Sequence, residues 1–386
     1  MKIVSVMTTE AHGGAEFAVV ELLDALVDRG HEAVLLTNLT ELRRDRHVTV
    51  RQLDLGPKLS RSTYLTLLLH GPRLALAMRK ALRRELPYDV LLVHFKKEQL
   101  FTLALPKRLR AACLWAEWGP LPREFRRGIP NKLYRAAACR ARALLAVSDG
   151  TRDSLIAAGL PQDKVVVLPN AVRSDEIRFT VEGRSRIRAA LDIPDGAFVV
   201  GLISRFHPKK RNDVVIEAAK RLGENVHLIL AGTGETEESL RSLAGPLGDR
   251  AHFIPTPGTD VADVLSAFDV AVFCPSPTEG APRAVILSML AERPVVATGA
   301  EGVRHLIAPG TGVILSPEND PETLASTLER YVASSELCLQ EGLSGRLHAE
   351  SVHAAPAIAA RFEQIVTEMG GSKDDAGHQY SPVRRD

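Results

Sequence analysis

Thirteen short runs rich in Val, Ile and Leu alternate with stretches of helical period, and this alternation constrains the fold more than any other feature. Seven come first, at 2–7, 31–37, 48–55, 88–95, 111–117, 143–148 and 165–172. Six follow, at 197–204, 226–232, 251–256, 269–275, 293–299 and 310–316. Strand–helix alternation of this kind argues for parallel sheets. Residues 173–195 interrupt the series: they are charged and irregular, with Gly183 and Pro194, and Gly196 follows. One larger α/β domain is the alternative, but 386 residues suffice for two domains and the break favours two. Two successive βαβ systems make two doubly wound domains with a cleft between strand C-termini.

The bulk numbers exclude several classes. With 45% hydrophobic and 25% charged residues the chain is neither disordered nor fibrous. A net charge of +2 supplies no global field toward nucleic acid. Cys113, Cys139, Cys274 and Cys338 match no metal or redox spacing, so free thiols in a cytoplasmic setting are expected. MKIVSVMTT reads as a first strand rather than a signal peptide, and the longest apolar stretch, 64–78, is cut by His70, Gly71, Pro72 and Arg73.

Two segments carry chemistry. In 275–298, PSPTEGAPRAVILSMLAERPVVAT, a Pro/Gly loop joins a strand to a buried helix and holds one acid, Glu279, before Gly280, Ala281 and Pro282. Gly admits a ligand close to the backbone, and Pro suits a first helical turn because its missing N–H would be unpaired anyway. The helix start offers free amides and a positive dipole end to an anionic or polyhydroxyl ligand. In 202–222, LISRFHPKKRNDVVIEAAKRL, Arg205 and Lys210 lie on the loop between a strand and an apolar-periodic helix. Two cations beside a helix N-terminus suit a diphosphate whose charge grows as a C–O bond breaks. A solvated basic loop is the plainer reading, since Lys209 and Arg211 are charged too.

Together these segments resemble the retaining glycosyltransferases of the GT-B fold, family 4, over nearly the whole chain. The resemblance implies an α/β chain of two Rossmann-like, doubly wound domains facing across a cleft. Residues 1–180 would be the acceptor-side domain and 181–352 the nucleotide-sugar-binding domain. A helix at 353–370 would cross back to the first domain, and 371–386 would be a disordered tail. Arg205 and Lys210 would grip the donor diphosphate, with Glu279 and the amides of Gly280, Ala281 and Pro282 binding the donor sugar. Gly13 and Gly14, a turn before the first helix, would face the diphosphate, and Gly232 would turn the loop under the base. The reaction would transfer a hexosyl or N-acetylhexosaminyl group, from a UDP-sugar above all, to a hydroxyl of a small molecule, natural product or glycan. No cofactor is implied, and without a DxD pair no metal is expected.

This chain also departs from the pattern. A second Glu usually stands eight positions after the first and bonds the ribose; here it is Leu287. Where a His usually touches the donor sugar stands Trp118, after Glu117, which leaves sugar stacking or domain packing open. His12, Glu16, His94, Glu117 and Trp118 are the acceptor-side candidates. These departures raise an alternative: a catalytically degenerate GT-B protein that binds ligand or partner without turnover. If position 287 faces the nucleotide, as the resemblance implies, Leu287→Glu should be tolerated. A basic cluster at 123–142 reads as a solvated helix face, with membrane contact peripheral at most.

Overall fold

The computed structural model describes residues 1–9, 13–39, 47–59, 63–110, 112–256, 260–276, 279–316 and 320–370. Among the described residues, thirteen strands form two parallel sheets. The first has order β3-β2-β1-β4-β5-β6-β7 and the second β10-β9-β8-β11-β12-β13. The first contains β1 (Lys2–Val6), β2 (Glu32–Thr37), β3 (Thr49–Gln52), β4 (Val90–Val93), β5 (Cys113–Glu117), β6 (Ala143–Ala146) and β7 (Val165–Val167). The second contains β8 (Phe198–Ile203), β9 (Val226–Ala231), β10 (Ala251–Ile254), β11 (Val270–Phe273), β12 (Val295–Thr298) and β13 (Gly312–Leu315). All thirteen apolar runs therefore contain a strand, and the α/β two-domain GT-B architecture holds.

Helices cover both faces of the first sheet, so successive side chains of its strands enter different clusters. Val4 and Val6 pack with Trp115 and Leu144, whereas Ile3 and Met7 pack with Leu23, Leu114 and Phe362. Ile3 lies opposite Ala33 on β2 and Val90 on β4, which fixes the register at the centre of the sheet. The second domain has one continuous cluster around β8, β9, β11 and β12.

In such sheets a crevice opens where the strand order reverses, outside the carboxyl ends of the strands. Here the reversals fall between β1 and β4 and between β8 and β11. The loops after β1 and β4 carry Gly13, Gly14 and His94; those after β8 and β11 carry Arg205, Lys210 and Glu279. The topology thus positions both motif segments at one switch point.

The chain leaves the first domain and returns to it along one seam. The Val172 amide donates to the His353 carbonyl at 2.9 Å, and the Ala355 amide donates to the Val172 carbonyl at 3.0 Å. The final helix, Ala355–Gly370, packs Ile358, Phe362 and Ile365 with Leu22, Leu23 and Leu26 of the helix Gly14–Asp28. Arg29 clamps Glu363 through Nε and Nη2, both at 2.7 Å. The expected tail, 371–386, lies outside the described residues.

Within the basic cluster at 123–142, Phe125 is buried against Tyr134. Exposed apolar side chains there are instead Ile129 and Leu133 of the helix Gly128–Ala138, between Arg127, Lys132 and Arg135.

Candidate functional site at the domain cleft

After β8 the chain makes a tight turn at Pro208–Lys210, where the His207 Nδ1 accepts from the Lys209 amide at 3.1 Å. The Lys209 carbonyl accepts from the Ser276 amide at 2.8 Å, which ties this loop to the one after β11. Lys210 Nζ thereby sits 2.9 Å from Glu279 Oε1, both side chains about a quarter exposed (23% and 24%). The ring of Phe273 supports the ammonium at 5.2 Å. Arg205 is exposed, and its side chain bonds to none of the described residues. Burial, together with the positive field of Arg205, Lys209 and Lys210, holds the His207 imidazole below its ordinary range. The loop therefore presents unneutralised positive charge beside a lysine–glutamate pair, the arrangement an anion bearing hydroxyls would enter.

The loop after Glu279 is pressed against the first domain. A Cβ on Gly280 would overlap the Trp118 carbonyl oxygen, and one on Gly302 would overlap the Gly280 carbonyl, so only glycine allows these approaches. The Gly302 amide donates to the Glu279 carbonyl at 3.0 Å, and Asn170 Nδ2 donates to the Ala281 carbonyl at 2.9 Å. Pro282 caps the helix Arg283–Leu290. Arg283, its first residue, makes a two-pronged bond to Glu21 of the helix Gly14–Asp28, both contacts at 2.6 Å. Gly232, with φ of +156°, turns the loop after β9 beside the Ser204 carbonyl.

The first-domain candidates divide. Gly13 adopts an extended conformation as N-cap, and a Cβ on Gly14 would lie 3.3 Å from the Arg283 Cβ, so this turn abuts the donor-loop helix. Glu16 is buried and bonded by Lys58 at 2.8 Å, whose ammonium lies 4.2 Å from the Phe95 ring centre. Glu117 points into the sheet interior, where Tyr134 (2.6 Å), Gln99 (2.9 Å) and Lys96 all donate to it. Its carboxylate is thus committed to a buried network. His94 is buried, hydrogen-bonded through Nε2 to Ser5 Oγ at 2.7 Å and stacked on Trp118. Burial pushes its imidazole down to about 3, so it is neutral across the physiological range. His12 lies outside the described residues. Leu287, expected to face the nucleotide, is 9% exposed and packed into the second domain's apolar cluster.

Sequence reasoning missed three groups. Glu21 lies on the same apolar helix as Ala18, Leu22 and Leu23, and a buried carboxylate there was the available signal. Arg283 stood inside the motif without a role. Glu98, fully buried in the short helix Lys96–Phe101 after β4, accepts from the Thr8 amide (3.1 Å) and hydroxyl (2.6 Å), and burial raises it to about 7.

Two family models divide the chain at this cleft: Glycosyltransferase Family 4 matches residues 12–176 and Glycosyl transferases group 1 matches residues 197–334. The chain belongs to the group 1 glycosyltransferases. Among its relatives is the 2-deoxystreptamine glucosyltransferase of Streptomyces kanamyceticus, 25% identical over 89% of this chain and 96% of that protein. The lipopolysaccharide core biosynthesis glycosyltransferase LpsE of Rhizobium meliloti is 28% identical over 84% of this chain and 87% of its own. The match to the D-inositol 3-phosphate glycosyltransferase of Geodermatophilus obscurus, 29% identical over 56% of this chain, spans about half (51%) of that relative. In structure, Anabaena HepE, solved with UDP, superposes with a TM-score of 0.81 at 20% identity over 95% of this chain and 100% of its own. These structural likenesses establish the fold.

Proposed function

We propose that this group 1 glycosyltransferase is a retaining enzyme that moves a hexosyl or N-acetylhexosaminyl group from a UDP-sugar to an acceptor hydroxyl. The carrying observation is the Lys210–Glu279 pair at 2.9 Å, held at the switch point, with the next residue, Gly280, packed on the Trp118 carbonyl of the first domain. A nucleotide sugar entering there divides the pair: the diphosphate takes Lys210 and Arg205, and sugar hydroxyls donate to Glu279. UDP and UDP-glucose complexes of Anabaena HepE support the choice of donor.

The acceptor hydroxyl attacks the anomeric carbon on the face from which the diphosphate departs. The anomeric C–O bond to phosphate breaks, the new C–O bond forms, and the hydroxyl proton passes to the leaving phosphate oxygen. No protein base is needed. This fits a cleft where Glu117 is internally bonded and His94 is held neutral. Lys210 and Arg205 stabilise charge that grows on the leaving group, the term on which catalysis of this kind depends most. We propose that no metal or other cofactor takes part, because Lys210 and Arg205 supply the positive charge the leaving diphosphate requires. The acceptor is a small-molecule, natural-product or glycan hydroxyl, consistent with the range of relatives. No helix among the described residues is long and apolar enough to cross a membrane.

The degenerate-binder alternative is favoured by one observation, Leu287 in place of a ribose-binding carboxylate. A donor panel read by nucleotide release decides between them. Turnover that survives EDTA supports the proposal; binding of UDP-sugars without release, with every acceptor class tried, supports the alternative.

A further inference from the structure

Beneath Trp118, a small pocket opens between the helix Gly14–Asp28 and the carboxyl ends of the first sheet's central strands. It has room for about one oxygen atom, roughly 20 Å³. Aliphatic side chains such as Ala18, Leu22 and Leu168 form most of its wall. Three polar atoms of the lining residues are buried and unpartnered among the described residues: His94 Nδ1, Trp118 Nε1 and Asn170 Oδ1. Buried polar atoms are costly to leave unpaired, and three on residues that line one oxygen-sized space point to a missing partner.

The chemistry of these atoms specifies the partner. Asn170 Nδ2 donates to the Ala281 carbonyl at 2.9 Å, which fixes the amide and leaves Oδ1 as an acceptor. Trp118 Nε1–H can only donate. A guest bridging them must accept one hydrogen bond and donate another. Deprotonated phosphate and carboxylate oxygens cannot donate, and an ammonium cannot accept. His94 Nδ1 serves as donor or acceptor according to its tautomer, since Nε2 is shared with the Ser5 hydroxyl. Glu117 also lines the pocket, but Tyr134, Gln99 and Lys96 engage its carboxylate, so no free charge faces the guest.

We propose that this pocket is a subsite for one uncharged hydroxyl oxygen, bridged between Trp118, His94 and Asn170. The oxygen comes from a water or from a substrate hydroxyl. Only the second source rests on the transferase reading. Because Asn170 holds Ala281, and Gly280 packs on the Trp118 carbonyl, a filled pocket also fixes the donor loop from below.

High-resolution crystal structures of the protein alone, with UDP and with UDP-glucose test this. A single oxygen within hydrogen-bond distance of all three side chains is expected in each. Density continuous with glucose in the third structure identifies a sugar hydroxyl; an isolated peak in all three identifies water. A dry pocket, a charged guest, or Trp118 and Asn170 turned to other partners overturns the proposal. The structure without nucleotide reads the pocket even if no transfer occurs. Trp118→Phe, which keeps a ring and removes the N–H, should lose or displace the oxygen. If the source is glucose, UDP-glucose affinity should fall about tenfold in that variant with UDP affinity unchanged. An oxygen retained undisturbed in Trp118→Phe also overturns the assignment.

Discussion

Glu21→Gln should loosen the contact between the two domains and cut turnover more than it cuts nucleotide binding. The wild-type carboxylate meets Arg283 in two bonds of 2.6 Å, with side-chain exposures of 7% for Glu21 and 12% for Arg283. A buried pair adds little net stability compared with an apolar substitute, but removing one partner strands the other, at about 3–5 kcal/mol. Here the stranded guanidinium has an escape, because separation of the domains lets water reach it. The penalty therefore falls on the closed arrangement rather than on either core, and about 3 kcal/mol corresponds to roughly a hundredfold shift toward open forms. Small-angle scattering should show a larger radius of gyration. Thermal unfolding should move little, since none of the three apolar clusters contains the pair. Turnover should drop because the Glu279 loop no longer meets Trp118, while UDP, which the proposed function assigns to the second domain, should keep its affinity. The double exchange Glu21→Arg with Arg283→Glu should recover part of the loss. Unchanged scattering and unchanged kcat/KM in Glu21→Gln would refute the reasoning.

Other expectations follow from the same geometry. Glu98 is raised from an ordinary carboxyl value of 4.5 to about 7, so the native state binds the extra proton between those values. Stability should then fall as pH rises through that window, by roughly 3 kcal/mol in total. Glu98→Gln should flatten the decline in unfolding temperature between pH 4.5 and 7, and an identical slope in both proteins would contradict the burial argument. Leu287→Glu places a carboxylate in the second domain's apolar cluster and should destabilise it by several kcal/mol. An unchanged melting temperature with tighter UDP binding would show that this side chain reaches the nucleotide after all. Arg205→Ala should weaken UDP binding while leaving uridine binding unchanged, and equal UDP affinity in variant and parent would move the phosphate site elsewhere.

The strands were legible because a strand buried in a parallel sheet is a short continuous apolar run, and each such run here became one. That the two motif segments lie at one cleft was legible, because both sit on loops that leave strands at their carboxyl ends; the Lys210–Glu279 bond itself was not read. Glu117 was harder. Strand parity puts it on the face of Trp115, toward Tyr134, and not in the cleft, but only if the strand reaches 117 as it does. The Glu21–Arg283 bond joins residues 262 apart in different domains, a distance over which no periodicity carries information. Leu287 was assigned by analogy of spacing, and packing of its helix against the second sheet decided its environment instead.

Transfer from UDP-glucose by the parent protein and by Lys210→Ala, followed by nucleotide release and by the anomeric configuration of the product, tests the central claim most directly. Release of UDP with an α-linked product from the parent, and a loss of a hundredfold or more in the variant, is the predicted result. Parent and variant releasing UDP at the same rate, or a β-linked product, would contradict it.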